Sequence, residues 1–234
     1  MSGNKLTALE RNIVACRRCP ELRAYCAQIA RTRKRAYRDQ TYWGKPVPAF
    51  GDDDARVLIV GLAPGAHGSN RTGRMFTGDA SGVWLYRALY RAGFANQPDQ
   101  RDRDDGLELH DALISAALRC APPGNKPSPE QLRRCAPYLE SEVMQLTRLA
   151  VVVALGAIGT RAAVGALQGA GFRFAGVPRF AHGAESTAIG PHARVTLLSS
   201  YHPSRQNTNT GVLTEPMLDA IFARARALAG AAPS

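Results

Sequence analysis

Apolar residues in this chain form two kinds of pattern that alternate along it. Short apolar runs, typical of buried strands, occupy residues 57–60, 112–117, 150–156 and 195–198. Segments with helical spacing lie around them, at about 5–15, 81–94, 128–149, 158–167 and 214–228. Strands that alternate with helices favour a parallel sheet with helices on both faces. We therefore predict an α/β fold: a three-layer αβα arrangement around a central four-stranded, mostly parallel sheet.

No internal repeat and no second apolar core interrupts this pattern. The helix near residue 128 has a well-marked start, because Ser128 is a good N-cap and Pro129 fits the first helical turn. Upstream of residue 55, Pro46, Pro48 and Gly51 indicate an irregular connection. We predict one domain over residues 1–234, with an N-terminal helical segment at 1–54 and the αβα core at 55–229.

The chain carries a large excess of positive charge. Thirty Lys and Arg residues stand against 19 Asp and Glu, which gives a net charge of +11 and an isoelectric point near 10.0. This excess favours a polyanionic partner such as nucleic acid, although an Arg-rich composition would produce it too. Five of the cations form a basic cluster within residues 31–38, for which a solvated helix face is the commoner interpretation.

Composition also excludes some classes of protein. Apolar residues make up 45% of the chain, which is enough for a sizeable core and excludes wholesale disorder. No apolar run approaches the roughly 18 residues that a membrane span needs. The first residues are polar and do not resemble a signal peptide. We expect a cytoplasmic protein without membrane contact.

Five cysteines are candidates for metal binding or catalysis, because their odd number in a cytoplasmic protein argues against a disulfide framework. Cys16 and Cys19 form a C-x-x-C pair, and Cys120 and Cys135 flank a predicted strand–helix unit. Four thiolates can surround one zinc ion or one [4Fe–4S] cluster. A C-x-x-C pair alone would also fit a redox motif. Cys26 is most simply a buried thiol, although it could replace Cys19 as a ligand.

Three unusual loops begin at residues 61, 119 and 200, each directly after a predicted strand. The carboxyl ends of parallel strands share one edge of a sheet, so we expect these loops to converge there. The first loop has six glycines in residues 61–82, which lets its backbone approach a ligand closely. Phe76, set among these glycines, is well placed as a stacking platform. Asp79 is either a catalytic carboxylate or an N-cap, and its spacing does not decide between them.

The other two loops each contribute one residue of interest. Asn125 carries a donor and an acceptor together, which suits pairing with an amide edge such as that of a pyrimidine. A turn-forming asparagine is the simpler alternative. His202 stands at the end of a strand, before a polar and basic segment. A lone histidine is usually structural, but one on the same edge as two other unusual loops favours chemistry.

Taken together, these motifs resemble the uracil-DNA glycosylase superfamily, specifically its type B branch (family 5) of iron–sulfur members. The matching elements are residues 61–65, 73–79, 122–125, 202–204 and 206–207, together with four cysteines. The resemblance implies a mixed αβα fold and the excision of uracil and other deaminated bases from DNA. It also implies a [4Fe–4S] cluster on Cys16, Cys19, Cys120 and Cys135, which makes residues 1–54 a cluster-binding segment.

Two positions depart from the pattern of many relatives. Leu62 stands where they place a polar residue that helps to activate water, and this departure is itself typical of type B. Asp79 becomes the leading replacement. Ala66 stands near the position of a tyrosine that blocks thymine in the narrowest uracil enzymes, so a broader range of bases is expected here.

The resemblance implies a role for each site residue. Asp79 would hold the attacking water or stabilise the sugar cation, and His202 would stabilise the leaving base. The residues expected to bind the base are Gly61, Ala63, Gly65, Ala66, Phe76 and Asn125, and those expected to fill the gap in the DNA are Arg205, Gln206 and Asn207.

The expected activity is that of a monofunctional uracil-DNA glycosylase that acts as a monomer on DNA and is associated with the nucleoid. A non-catalytic iron–sulfur protein that binds DNA is one alternative. A superfamily member that traps abasic sites covalently is the other, although residues 66–72 carry only one basic side chain of the insert expected for it.

Overall fold

The computed structural model describes residues 3–191 and 193–230, and it contains helices on either side of one sheet. The predicted domain of 1–234 also includes residues 1, 2, 192 and 231–234, which lie outside the described residues. The helices are α1 (Gly3–Val14), α2 (Pro20–Thr32), α3 (Ser69–Thr72), α4 (Ala80–Arg91), α5 (Pro129–Gln145), α6 (Gly156–Gly169), α7 (Arg205–Asn209) and α8 (Glu215–Gly230). The strands are β1 (Phe50–Gly51), β2 (Val57–Gly61), β3 (Ala112–Ala116), β4 (Val151–Leu155), β5 (Arg173–Phe174), β6 (Glu185–Ile189) and β7 (Arg194–Ser200).

The sheet has seven strands in the order β1-β3-β2-β4-β7-β6-β5, so the predicted number of four is wrong. The four strands β3, β2, β4 and β7 are parallel, and they are the four that the apolar runs predict. The other three are antiparallel additions at the two edges. Two of these contain only two residues, and β6 buries only Ala188. Short, half-solvated edge strands carry no continuous apolar run, which is why the pattern misses them.

Alternate residues of the parallel strands face two separate layers of helices. Val57 and Ile59 of β2 belong to a core cluster with α4 and α8. Leu58 and Val60 point to the opposite face and pack with α5 and α6. This period of two, with both faces buried, confirms the predicted three-layer αβα fold.

The sheet begins upstream of residue 55, the predicted start of the core. Phe50 of β1 pairs with Ile114 of β3, and Val47 is fully buried in the core. The N-terminal segment therefore contributes to the sheet as well as to helices α1 and α2. No helix in the described ranges is both long enough and apolar enough to cross a membrane.

Candidate active site and cysteine cluster

The first and third of the predicted loops meet at the carboxyl edge of the sheet. Phe76, in the loop after β2, stacks on His202, in the loop after β7, with ring centroids 5.8 Å apart and an interplanar angle of 28°. Gly156, at the end of β4, lies against the same histidine, because a Cβ there would be 3.2 Å from the His202 Cβ. The predicted convergence is thus confirmed for these two loops.

The backbone around Phe76 requires glycine at two positions. Phe76 itself has a left-handed φ of +52°, which is uncommon for a bulky residue. A Cβ on Gly61 would lie 2.7 Å from the Phe76 ring, and one on Gly82 would lie 1.7 Å from the Phe76 carbonyl oxygen. Glycines at both positions therefore allow the ring to turn toward His202.

Asp79 is an N-cap and also faces the glycine-rich loop. Its Oδ1 accepts a hydrogen bond from the Gly82 backbone N–H at 3.0 Å, which caps α4. Its Oδ2 lies on the loop side, since a Cβ on Gly65 would be 3.0 Å from it and one on Gly68 only 2.3 Å. The two interpretations that the sequence left open are therefore compatible: one oxygen caps the helix while the other faces the loop.

The electrostatic environment of Asp79 is set by its burial. Burial raises the pKa of Asp79 above its ordinary value, and backbone N–H groups of Gly82 and Ser81 oppose that rise. The positive charges of Arg205 and Arg71 also lower this pKa. The third loop therefore meets the first through charge as well as through ring stacking.

His202 is a neutral imidazole at physiological pH. Burial lowers the pKa of His202 from 6.5 to about 4, so the ring carries one N–H donor and no charge. The side-chain amide of Asn207 donates to the His202 carbonyl oxygen at 2.9 Å. Ser204 caps the short helix α7 by accepting from the Asn207 backbone N–H. Asn207 thus holds the histidine loop in place.

Three of the residues predicted to contact DNA or the base are on the surface. Arg205 and Gln206 are exposed on α7. Asn125 is exposed at the end of the 3₁₀ turn Pro123–Asn125, with a left-handed φ of +57°. Its side chain has no hydrogen-bond partner among the described residues. This placement suits both interpretations of Asn125, as a turn residue and as a free amide that can meet a ligand.

The four cysteines of the predicted cluster line one small cavity. Cys19, Cys120 and Cys135 are buried, and Cys16 is half-buried. Within residues 3–191 and 193–230, no group of three or more Cys, His, Asp or Glu side chains is arranged to hold a single metal ion. Burial raises the pKa of Cys135 to about 11. Cys26 is also buried in the same cluster of residues as Cys120, and its thiol donates to the Ala121 carbonyl oxygen at 3.6 Å, so the fifth thiol lies close to the set of four.

A buried ion pair adjoins this cavity, and sequence reasoning missed it. Arg119 lines the cavity and donates through Nη2 to Glu142 Oε2 at 2.6 Å, and the Ser115 hydroxyl donates to the same oxygen at 2.6 Å. The positive charge of Arg119 and its backbone N–H oppose the rise that burial causes in the pKa of Cys135. The Nε and Nη1 of Arg119 are buried and have no partner among the described residues. In the sequence, this ion pair could have been suspected from the position of Arg119, which lies directly between an apolar run and Cys120.

The cysteine cavity and the first loop are in contact. Ala63 and Ala66, both predicted to bind the base, are half-buried and pack against the cluster of buried residues that includes the cysteines. The side-chain amide of Asn70 bridges the two regions, since it donates to the carbonyl oxygens of Cys26 and Ala66 at 3.4 and 3.3 Å. The cysteine-rich segment therefore supports the back of the glycine-rich loop.

Comparison with known proteins agrees with this geometry. The sequence model of the Uracil DNA glycosylase superfamily matches residues 48–226, which include the sheet and all three loops. The chain belongs to the uracil-DNA glycosylase superfamily. This superfamily member is 49% identical to the type-5 uracil-DNA glycosylase of Thermus thermophilus, over 95% of this chain and 98% of the relative. The type-5 uracil-DNA glycosylase of Mycobacterium bovis is 48% identical, over 93% of this chain and 80% of the relative. That of Mycobacterium leprae is 47% identical, over 97% of this chain and 97% of the relative.

These relatives confirm the resemblance to the family 5 branch. The superfamily match begins at residue 48, so it leaves out α1, α2, Cys16 and Cys19. The alignment with the Thermus protein instead covers 95% of this superfamily member. Similarity to type-5 proteins therefore extends well beyond the part of the chain that the whole superfamily shares.

Proposed function

We propose that this chain removes uracil from DNA by hydrolysing the N-glycosidic bond, as a monofunctional glycosylase of base-excision repair. The observation that carries this proposal is the stacked pair of Phe76 and His202 at the carboxyl edge of the sheet, with the half-buried carboxylate of Asp79 facing the same glycine-rich loop. Type-5 relatives at 47–49% identity over nearly the whole chain support it. We propose that it acts as a monomer associated with the nucleoid, where its DNA substrate is found.

The base must leave the duplex before any group can reach its glycosidic bond, at a cost of a few kcal/mol in unstacking. Phe76 supplies the aromatic face on which the extruded base stacks. Gly61, Ala63, Gly65 and Ala66 are the small residues that we assign to the base site together with Phe76, and a residue as small as Ala66 would admit bases larger than uracil. Arg205 and Gln206 on α7 would fill the gap that the base leaves in the helix.

Bond cleavage passes through an oxocarbenium-like state in which negative charge grows on the departing base. His202, neutral because its pKa is about 4, donates its N–H to the uracil oxygen where that charge collects. One such donor contributes roughly 3–4 kcal/mol to the transition state. Asp79 holds the attacking water or stabilises the sugar cation. Asn207 keeps His202 in position through its hydrogen bond to the His202 carbonyl.

The cysteine cavity fits a [4Fe–4S] cluster held by Cys16, Cys19, Cys120 and Cys135. The four thiols line one cavity, and the unpartnered N–H groups of Arg119 beside them suit an anionic group. Four cysteines match the donor set of such a cluster, because each of its irons takes one thiolate. When bound, the cluster supplies a covalent link between the N-terminal segment and the β3–α5 unit. The hydrolysis itself uses this chain's own side chains.

Uracil excision is tested by incubating the protein with a duplex that contains one uracil and then treating the DNA with alkali. Alkali breaks abasic sites, so strand cleavage at the uracil position supports a glycosylase. A protein–DNA adduct that resists denaturation would instead show the abasic-trapping alternative. Binding without cleavage or adduct would show the non-catalytic alternative. An identical duplex with thymine in place of uracil is the control for background cleavage.

A further inference from the structure

A basic groove lies beside the cysteine cavity, outside the residues assigned to base excision. Its volume is about 490 Å³. The end of α1, the C-x-x-C turn, the start of α2 and two loops contribute charged side chains to its walls. These are the cations Arg11, Arg17, Arg23, Lys45 and Arg103 and one carboxylate, Glu10.

The positive charge of this groove is not neutralised by the protein itself. None of its five cations forms an ion pair with an acid in the part of the chain that the structure describes. The one carboxylate, Glu10, has its pKa raised by burial and by the charge of Asp53, and the charge of Arg103 opposes that rise, so one acid faces five cations. Several exposed arginines elsewhere are paired with acids, namely Arg91, Arg148 and Arg224. Uncompensated cations gathered in one concave surface indicate an anionic ligand.

The groove is connected to the loop that carries Phe76. Two of its cations, Lys45 and Arg103, lie over the ring of Trp43, 5.4 and 4.7 Å from the ring centroid. Trp43 packs on that loop, since a Cβ on Gly73 would be 2.8 Å from its ring, and its backbone N–H donates to the Arg71 carbonyl oxygen at 2.8 Å. A ligand in the groove would therefore contact Lys45 and Arg103, which are linked to the base-binding loop through Trp43.

We propose that this groove binds the phosphate backbone of the DNA substrate at nucleotides outside the excised one. Cations contributed by five separate stretches of chain match a ligand with repeated negative charges better than one with a single charge. The groove is built partly on Arg17, within the Cys16–Cys19 turn, and on Arg11 and Arg23 on either side of it, so the cysteine-rich segment gains a role in holding the DNA. This proposal rests on the proposed function only in that the substrate is DNA.

The test is the salt dependence of DNA affinity in a variant with Arg11→Ala and Arg103→Ala, which lie on different elements. Fluorescence anisotropy with a labelled duplex gives Kd at several salt concentrations. The slope of log affinity against log salt should become shallower by about 0.9 for each phosphate that the variant no longer binds, and so by roughly 1.8 for the double variant. Affinity should fall equally for uracil-containing and undamaged duplexes, because binding to phosphates carries no base information.

The matched control removes the same charge from the side of the sheet that ends in β5, with Arg173→Ala and Arg194→Ala. Both arginines are exposed and belong to β5 and β7. The proposal requires a shallower slope in the groove variant than in this control. Equal slopes in the two variants would overturn it.

A second measurement separates DNA from a small phosphorylated ligand. Inorganic phosphate and a nucleoside monophosphate are titrated into the wild-type protein by calorimetry. Tight binding of either one, abolished in the groove variant while the DNA slope is unchanged, would overturn the proposal. Melting curves establish that the variants are folded, and Lys45→Ala with Arg103→Ala provides a second pair if the first pair unfolds. Because the measured quantity is the affinity for undamaged DNA, the outcome for the groove does not depend on whether the protein releases uracil.

Discussion

Replacement of Asp79 by asparagine separates the helix cap from the chemistry. Asparagine retains a side-chain oxygen that can accept from the Gly82 N–H, as Asp79 does at 3.0 Å, and it caps helices about as well as aspartate. It removes the negative charge. Because burial raises the pKa of Asp79, the ionised carboxylate is less stable in the folded protein than in the unfolded chain. We therefore expect Asp79→Asn to melt at or above the wild-type temperature, and Asp79→Ala to melt lower.

The magnitudes follow from the cap and from the size of the chain. Loss of an N-cap acceptor costs about 1 kcal/mol. For a chain of 234 residues that is a fall of about 2–4 °C in Tm. If the carboxylate acts in catalysis, both variants should lose base release by roughly a hundredfold or more. We therefore expect an Asp79→Asn protein that is as stable as the wild type and releases the base slowly. This expectation does not depend on how Asp79→Ala behaves.

The assay is single-turnover release of uracil from a duplex, measured with enzyme in excess and beside melting curves. Its pH dependence has a definite sign. A carboxylate whose folded pKa is raised stays protonated to a higher pH, so the wild-type rate should fall as pH drops through that raised pKa. In the same interval the folded state binds more protons than the unfolded chain, so ionisation of Asp79 lowers stability as pH rises. Full-rate cleavage by Asp79→Asn would refute the catalytic role.

Three further predictions concern His202, Arg119 and the cysteines. His202→Ala should slow the release of uracil more than that of hypoxanthine, because the two bases present different edges to the donor; equal slowing of both would count against this role. Since the pKa of His202 falls from 6.5 to about 4 on folding, wild-type stability should decrease by up to roughly 3 kcal/mol as pH drops through that range, and urea melts of His202→Ala should lack this decrease. Arg119→Met should lower the free energy of unfolding by roughly 3–5 kcal/mol, because it leaves Glu142 as an unpaired buried charge. Adding Glu142→Gln should restore most of that stability, and a double variant that is no more stable than Arg119→Met would contradict the pairing. Anaerobically purified protein should contain iron, and Cys120→Ser should lower melting temperature and solubility before it affects base release; elemental analysis that finds stoichiometric zinc and no iron would exclude the cluster.

The parts of the fold that the sequence could predict are those buried on both sides. Each of the four central strands contains a short run of mostly apolar residues, and its position follows directly from that run. The edge strands could not be predicted, because β1 and β5 have only two residues each and β6 exposes most of its side chains. Helix α2 is equally hard to predict, since it buries only Leu22 and Cys26.

In the site, too, some features could be predicted from the sequence and others could not. The stacking of Phe76 on His202 could be anticipated, because both residues follow parallel strands whose ends share one edge. The pairing of Arg119 with Glu142 joins the end of β3 to α5, and nothing in the spacing of the two residues indicates it. Asp79 is ambiguous for a different reason: a helix cap and a site carboxylate need the same residue at the same place, and the structure uses it for both contacts.

The central claim, hydrolysis of the glycosidic bond of uracil in DNA, is tested most directly by following both products in water enriched in heavy oxygen. A uracil-containing duplex is incubated with the protein, and mass spectrometry measures the free base and the remaining strand. We predict equal amounts of free uracil and abasic strand, with the heavy oxygen on the deoxyribose and none on the uracil. Intact DNA, or a strand covalently bound to the protein without an equivalent of free abasic product, would contradict the claim.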